Sequence, residues 1–401
     1  MHDLNWAQTD FMEQSQAFAE KIFADVRLLS QSPAPLTGVT RTSYSPEEGR
    51  VLKYLSDVCC GLGLQVETDP AGNVWGTLRG SDPELPAVVS GSHCDSVPDG
   101  GNYDGLAGIV AALCTARWMQ YLGFSPKRDF RVVIMRGEEE GLLGSLGMLG
   151  QLTEEDLSRR MRSGSAGPTL RELLTGIGVD PAAVSSGKHC VDFVKIAAFI
   201  EVHIEQSARL DNAVTDRVGV VTGIRGLIRH RTIQAIGETA HAGAVDFPYR
   251  KDAALACARF SSRLYDFWQH ELSLGRDLVA TTGVIRTSPS ASMNKIAGEC
   301  IVSLDARSLS AAELNLFEKK VGAILQETAE ETGVIFKTDP LMRIAPVEAD
   351  EGVMKKLETS ADILKIGTQR MPSGAGHDAM NFAAAGVPFA MLLSLIHISE
   401  P

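Results

Sequence analysis

The stretch PAVVSGSHCDSVPDGGNYDG, residues 86–105, decides the fold expected for this chain. It begins as an apolar run, turns into a glycine-rich segment with one His and three Asp, and leads into the apolar pattern GLAGIVAALCTARWMQYLG (105–123). A short apolar run bounded by turn residues predicts a buried strand, and the longer pattern after it predicts a helix. Polar residues that follow such a strand lie where open α/β sheets place their sites.

The same alternation continues along the chain. Two further apolar runs, FRVVIMRG (130–137) and VKIAAFIEVHIE (194–205), again end in polar residues. Strands that alternate with helices indicate a parallel or mixed sheet with helices on both faces. Before the first strand, residues 10–30 have an amphipathic helical pattern, and SPEEGRVLKYLSDVCCGLG (45–63) begins and ends as a capped helix does.

Between residues 217 and 333 the pattern changes to a strand pair, a helix, two strands, a second helix and a last strand. We therefore predict an α+β domain over 217–333, inserted into an α/β domain formed by 1–216 and 334–401. Within the insert, VGVVTGIRGLIRHRTIQAIG (218–237) is predicted to form the strand pair.

Composition excludes several classes of function. A net charge of −12 argues against a nucleic-acid partner, since phosphate binding requires clustered Lys and Arg. The sequence has neither a secretory signal nor an apolar run of the roughly 20 residues that a membrane span needs. Seven Cys without CxxC pairing fit reduced thiols. We expect a cytoplasmic protein with no membrane partner.

Polar residues after three successive strands suggest one shared site. His93, Asp95 and Asp104 follow the first strand, GEEEG (137–141) follows the second, and His203 lies on the third with Glu201, Glu205 and Gln206. Taken singly, Asp104 is explained as a helix N-cap, the three Glu as a solvated acidic turn, and His203 as a core histidine. Three coincidences are a weaker explanation than one site.

Imidazoles and carboxylates without thiolates suit Zn²⁺, or Mn²⁺, Co²⁺ or Ni²⁺. A carboxylate that bridges two such ions gives a centre that activates water and polarises a carbonyl, so hydrolysis is the expected chemistry.

These residues resemble the M20 metal-dependent amidohydrolases of hydantoinase/carbamoylase type, which include N-carbamoyl-L-amino-acid hydrolases and allantoate amidohydrolases. The resemblance covers nearly the whole chain, in the order GSHCDSVPDGGNYDG (91–105), MRGEEEG (135–141), FIEVHIEQ (199–206), VVTGIRG (220–226), HAGAVDFPYRKDA (241–253), MNKIAGEC (293–300) with LDARS (304–308), and PSGAGHDAM (372–380). It implies a mixed-sheet metallohydrolase domain and an inserted, ferredoxin-like α+β domain that serves in dimerisation and as a lid.

By position, the resemblance implies two divalent ions per subunit. Their ligands would be His93, Asp104 as the bridge, Glu139 and His203, with Asp95 orienting His93. Glu138 would be the general base. The alternative register of the triple Glu moves the roles of base and ligand to Glu139 and Glu140.

The resemblance also implies substrate contacts. Arg307 would pair with a substrate carboxylate and His241 would stabilise the oxyanion, in the site of the partner subunit of a homodimer. The remaining substrate contacts would come from Asn294, Gln206, Gly376 and His377. From the residues alone, Arg307 is equally an arginine in a charged turn, and HAGA a loop.

The C-terminal end departs from the family. Members continue to a GISHxPxE segment whose His is a further ligand, whereas this chain ends in LSLIHISEP (393–401). One reading frame of a transposon-end sequencing adapter encodes the same peptide. We therefore expect 393–401 to be artefactual and the C-terminus truncated, and we do not take His397 as a ligand.

The function expected is hydrolysis of a non-peptide C–N bond in a small carbamoyl or ureido carboxylate, with an N-carbamoyl-L-amino acid as the first candidate. Allantoate is the alternative substrate, and an M20 dipeptidase or aminoacylase is a further one. Outside the enzymes, the alternative is a metal-poor binding protein.

Overall fold

The computed structural model describes residues 9–30, 37–161 and 167–395 of the chain. His397 and the rest of the tail beyond residue 395 lie outside the described residues. The expectation for that tail stays a prediction.

Helices and strands alternate over most of the chain. The helices are α1 (Thr9–Leu29), α2 (Pro46–Gly61), α3 (Leu106–Tyr121), α4 (Leu143–Met148), α5 (Glu154–Ser158), α6 (Leu170–Gly176), α7 (Pro181–Val184), α8 (Ala253–Ser273), α9 (Ala311–Thr332), α10 (Glu351–Leu364) and α11 (Ala379–Ala384). The strands are β1 (Gln65–Thr68), β2 (Val74–Leu78), β3 (Ala87–His93), β4 (Phe130–Met135), β5 (Ile196–Ile204), β6 (Asp216–Ile224), β7 (Gly226–Ile236), β8 (Ala240–His241), β9 (Val279–Thr281), β10 (Ile285–Thr287), β11 (Lys295–Ile296), β12 (Glu299–Ser308), β13 (Ile335–Thr338), β14 (Met342–Ile344), β15 (Val347–Glu348), β16 (Gly367–Ser373) and β17 (Phe389–Ser394).

The chain divides into two compact units. Unit 1 comprises Met1–Thr222, Ala349–Met371 and His377–Pro401, and unit 2 comprises Gly223–Glu348 and Pro372–Gly376. The domain boundaries predicted at 217 and 333 differ from the ends of the main segment of unit 2, Gly223 and Glu348. Residue 217 lies inside β6, and β13 and β14, which follow residue 333, pair with β7 of unit 2.

Unit 1 is built on a mixed sheet. Its strands follow the order β1-β2-β4-β3-β5-β17-β6, and β3 runs parallel to both β4 and β5. The mixed sheet predicted from the sequence is thereby confirmed. Because β4 is buried along nearly its whole length, its sequence FRVVIM is apolar at almost every position, as expected for a strand covered on both faces.

Helices α1, α2 and α3 pack against this sheet. Their shared core includes Leu55, Ile109 and Leu113 from the helices and Val132 from β4, all with 0% exposure. The predicted cap of α2 is also present, since the Ser45 side chain accepts a hydrogen bond from the Glu48 backbone N–H.

Unit 2 is an antiparallel sheet with two long helices. Its strands follow the order β10-β12-β7-β13, with β14 beside β7 and β9 beside β12. Helices α8 and α9 bury a core with this sheet that includes Phe260, Phe317, Ile233 and Val302. This is the α+β arrangement expected for the insert.

The predicted strand pair at 218–237 is wrong. Residues Asp216–Ile224 and Gly226–Ile236 do form strands, but they belong to different sheets. The reason is that β6 finds its partner in β17, whereas β7 pairs with β12 and β13. Local sequence indicates two strands separated by one residue, but it does not show that their partners lie far apart along the chain.

No helix within 9–30, 37–161 or 167–395 combines the length and the apolar character needed to cross a membrane.

Candidate metal centre

Three predicted ligands meet at one edge of the unit 1 sheet. His93 ends β3, His203 lies near the end of the adjacent parallel strand β5, and Asp104 precedes α3. The Nε2 atom of His203 lies 3.1 Å from Asp104 Oδ1, and Nε2 of His93 lies 3.9 Å from the same oxygen. The three ligand atoms all lie within 4.8 Å of one another. Because the C-terminal ends of parallel neighbours meet at one edge, the strand order itself produces this cluster.

The glycine after Asp104 makes the close approach possible. Gly105 has φ of 63°, and a Cβ at this position would lie 2.5 Å from the His93 ring. Any larger residue would therefore be strained and would also collide with the imidazole. The Asp-Gly pair at 104–105 places a carboxylate beside His93 and starts α3 in the same turn.

Both imidazole rings are oriented by a contact of Nδ1, the ring nitrogen that faces away from Asp104. Nδ1 of His93 lies 3.2 Å from the Asp95 backbone oxygen and 3.3 Å from Asp95 Oδ1, and Nδ1 of His203 lies 3.0 Å from the Ile204 oxygen. A ring that donates through Nδ1 presents the Nε2 lone pair to a metal. In both rings that nitrogen is the one nearest Asp104.

Asp95 connects His93 to the acidic turn that follows β4. Its side chain accepts hydrogen bonds from Ser43 Oγ at 2.6 Å, from the Glu138 N–H at 3.1 Å and from the Glu139 N–H at 3.2 Å. One buried carboxylate thus holds both the imidazole and the backbone of the triple Glu.

The three Glu side chains have different surroundings. Glu138 is partly buried, with 10% of its side chain exposed, and its Oε2 lies 3.8 Å from His93 Nε2. Glu139 is partly buried and accepts a hydrogen bond from the Val97 N–H at 3.3 Å, outside the group of three ligand atoms. Glu140 is 45% exposed and lies 3.8 Å from the Arg159 guanidinium.

Burial and charge set the protonation of this cluster. Burial raises the pKa of Glu138 well above its usual value, Asp378 and Asp95 raise it further, and His93 opposes them. Burial acts to raise the pKa of Asp104, but the hydrogen bond from His203 and the charges of the three nearby imidazoles together outweigh burial, so the pKa is lowered. Burial lowers the pKa of His93, yet Glu138 and Asp95 leave it well above the usual value. The site therefore concentrates negative charge that a cation would neutralise.

The donor set fits a divalent metal. Two buried imidazoles with Nδ1 facing an acceptor, and a carboxylate between their Nε2 atoms, are the ligand types that Zn²⁺ and similar ions take.

Two predicted substrate contacts border the same cluster. The His377 ring is buried, and its centroid lies 4.6 Å from that of His203. Burial lowers the pKa of His377 well below its usual value, and His203 and His93 add to the effect. Gln206 donates from Nε2 to Asp104 Oδ2 at 3.1 Å.

The other predicted contacts lie in unit 2. His241 and Asn294 are exposed neighbours there, since the Ala242 N–H donates to the Asn294 oxygen at 2.9 Å. Arg307 is held by Asp305, with Nε 2.8 Å from Oδ1. Gly376 ends the segment 372–376, whose Gly374 oxygen accepts a 2.5 Å hydrogen bond from Arg307.

The sequence did not predict that Glu201 and Asp378 take part in buried hydrogen bonds beside the proposed ligands. Glu201 accepts hydrogen bonds from Ser92 Oγ at 2.7 Å and from the Ala379 N–H at 3.1 Å. Asp378 accepts one from Ser145 Oγ at 2.5 Å, across 233 positions of sequence. The alternation of polar residues on β5 indicated Glu201, but nothing local connects residues 145 and 378.

The chain is similar to known proteins over most of its length. Residues 89–399 match the profile of Peptidase family M20/M25/M40. An N-carbamoyl-L-amino-acid amidohydrolase of Paenarthrobacter aurescens is 32% identical over 93% of this chain and 89% of that protein. An allantoate amidohydrolase of Escherichia coli is 30% identical over 89% of this chain and 85% of that protein. A hydantoinase/carbamoylase family amidase from Burkholderia ambifaria superposes with a TM-score of 0.81 at 28% identity, over 94% of this chain and 90% of that one.

The chain therefore belongs to the M20/M25/M40 family. Within it, the chain is similar to the amidohydrolases of hydantoinase/carbamoylase type, so the resemblance noted in the sequence is confirmed, and with it the assignment to hydrolases of non-peptide C–N bonds.

Proposed function

We propose that this chain hydrolyses the carbamoyl C–N bond of an N-carbamoyl-L-amino acid with the help of two divalent ions. The observation that carries the proposal is the cluster of His93, Asp104 and His203, with the partly buried carboxylate of Glu138 beside it. Glu139 would complete the ligands, with Asp104 as the bridge. Divalent ions in such a centre lower the pKa of water and polarise a carbonyl.

Glu138 is the general base in this proposal. Burial raises the pKa of Glu138, and a higher pKa makes the ionised carboxylate a stronger base, which would accept a proton from the attacking water and pass it to the leaving nitrogen. The positions of Glu139 and Glu140 support this register over the alternative, because Glu140 is exposed and faces Arg159 rather than the cluster. Asp95 holds both His93 and the Glu138 backbone in place.

Arg307 would recognise the substrate carboxylate, and His241 the developing oxyanion. Asn294, Gln206, Gly376 and His377 supply further substrate contacts in the proposal. The Arg307 guanidinium donates to the Asp305 side chain and to the Gly374 carbonyl oxygen. These bonds leave some of its N–H groups available to bind a ligand. Allantoate is the second candidate substrate, supported by the similarity to the Escherichia coli enzyme.

We further propose a cytoplasmic homodimer in which unit 2 is the dimerisation and lid domain. The seven cysteines are all free thiols, as the reducing cytoplasm requires.

A panel of substrates tests the function. The protein, loaded with Zn²⁺ or Mn²⁺, is assayed with N-carbamoyl-L-amino acids, their D-enantiomers, allantoate and dipeptides. We expect the highest kcat/KM with an N-carbamoyl-L-amino acid. A preference for dipeptides would refute the proposal in favour of a peptidase, and loss of all metal on dialysis, together with no turnover, would favour a binding protein.

A further inference from the structure

Arg41 is a buried arginine beside the loop that connects His93 to Asp104. It is 0% exposed, and its Nε donates to the Cys94 oxygen at 2.6 Å. Its Nη1 donates to Asn102 Oδ1 at 3.2 Å, and its Nη2 donates to the Asn102 backbone oxygen at 3.1 Å. The Arg41 N–H also donates to Ser96 Oγ at 3.1 Å.

These contacts join the two ends of one loop. Cys94 directly follows the ligand His93, and Asn102 lies two residues before the ligand Asp104. A planar guanidinium with donors in a fixed fork can hold two backbone segments at a set distance, which a flexible ammonium cannot. We call this set of three side-chain hydrogen bonds the Arg41 clamp.

The placement is unusual because the acceptors carry no charge. Arginine keeps its charge in proteins, and burial of a cation without a paired anion is costly. Burial lowers the pKa of Arg41 and outweighs the opposing effects of Cys94, Asp95, Asp104 and Glu139. The carboxylates of the proposed metal centre therefore offset only part of the cost of burying this cation.

We propose that Arg41 is a positioning residue of the metal centre: its clamp fixes the separation of His93 and Asp104 before a metal ion binds. This inference rests on the proposed metal-dependent function. Two effects of opposite sign are involved. The clamp favours metal binding because it preorganises the ligands, whereas the positive charge of Arg41 disfavours a second cation nearby.

Two substitutions separate these effects. Arg41→Lys keeps the charge but loses the fork, and Arg41→Met loses both. If the clamp dominates, both variants bind metal more weakly. If charge repulsion dominates, Arg41→Met binds metal more tightly than the wild type and Arg41→Lys is unchanged.

The experiment measures Co²⁺ affinity by competition with a chelator and records the visible spectrum of the bound ion. We expect both Arg41 variants to lose about 10- to 100-fold in affinity, the range typical of residues that orient metal ligands. Asn102→Ala, which removes one of the three acceptors, should lose less. At saturating Co²⁺ the spectrum of Arg41→Lys should return to that of the wild type, which a general loss of folding would not allow.

Arg128→Met is the matched control. Arg128 donates to the Pro86 oxygen at 2.9 Å and contacts none of the proposed ligands among the described residues, so its Co²⁺ affinity should equal that of the wild type. Near-UV circular dichroism checks folding, and if the Arg41 variants do not fold, Asn102→Ala decides the question.

The outcomes are distinguishable. Wild-type affinity in Arg41→Lys, tighter binding in Arg41→Met, or wild-type affinity in Asn102→Ala where that variant decides, would each overturn the clamp while the proposed function stands. A wild-type protein that binds no Co²⁺ would overturn the proposed function, and the role of Arg41 with it.

Discussion

Replacement of Glu138 by Gln tests the assignment of the general base. The amide has the size of the carboxyl group, and the backbone N–H that donates to Asp95 at 3.1 Å is retained, so the turn should keep its shape. What is lost is the proton acceptor next to His93. General acid–base catalysis contributes about 10²- to 10⁴-fold. We therefore expect kcat to fall by that factor, equivalent to about 3 to 5 kcal/mol in the activation free energy.

The assay measures kcat for N-carbamoyl-L-amino-acid hydrolysis and metal content per chain in the same preparation. Because Glu138 lies outside the group of three ligand atoms, metal content should match that of the wild type. Glu140→Gln is the control, since Glu140 is exposed and faces Arg159, and its kcat should change little. Loss of metal from Glu138→Gln, or an unchanged kcat, would refute this assignment.

Three further predictions address the ligands, the substrate and the thiols. His203→Ala removes the Nε2 atom that lies 3.1 Å from Asp104, so metal affinity, measured by chelator competition, should fall by more than the roughly 10- to 100-fold typical of residues behind a ligand. Arg307→Lys should raise KM for an N-carbamoyl-L-amino acid by about 10- to 100-fold with little change in kcat, because a charge-assisted hydrogen bond contributes about 1.5 to 3 kcal/mol; an unchanged KM would contradict the role of Arg307. Burial raises the pKa of Cys114 to about 11, so its reactive thiolate is scarce at neutral pH, forms only as the pH rises, and is about 0.1% of the thiol at pH 8. The exposed Cys60 should react with a disulfide reagent well before Cys114 at that pH, and equal rates by mass spectrometry would contradict this.

Sequence patterns predicted where helices and strands lie better than they predicted which strands pair with each other. Apolar runs such as FRVVIM gave β4 because a fully buried strand needs apolar residues on both faces. The separation of β6 and β7 into different sheets was not predicted, because the apolar pattern of residues 218–237 does not show which strands each one pairs with. The sheet that a strand joins depends on partners distant in the sequence, such as β17 for β6, and the strand's own sequence does not identify those partners.

The candidate site was likewise predicted only in part from the sequence. The pattern predicted a shared site because His93, Asp104 and His203 each follow or end an apolar strand and parallel order brings such ends together, and the family resemblance then implied that these three are ligands. Arg41 was missed, since its partners Cys94 and Asn102 lie 53 and 61 positions away and hydrogen bonds of this kind follow only from the folded chain.

The central claim is that His93, Asp104 and His203 hold a metal on which hydrolysis depends. The most direct measurement follows cleavage of an N-carbamoyl-L-amino acid by chelator-treated protein before and after addition of Zn²⁺ or Mn²⁺, for the wild type and for His93→Ala. The account predicts no turnover before addition, recovery in the wild type, and no recovery in His93→Ala. Turnover by the metal-free protein, or full recovery in His93→Ala, would contradict it.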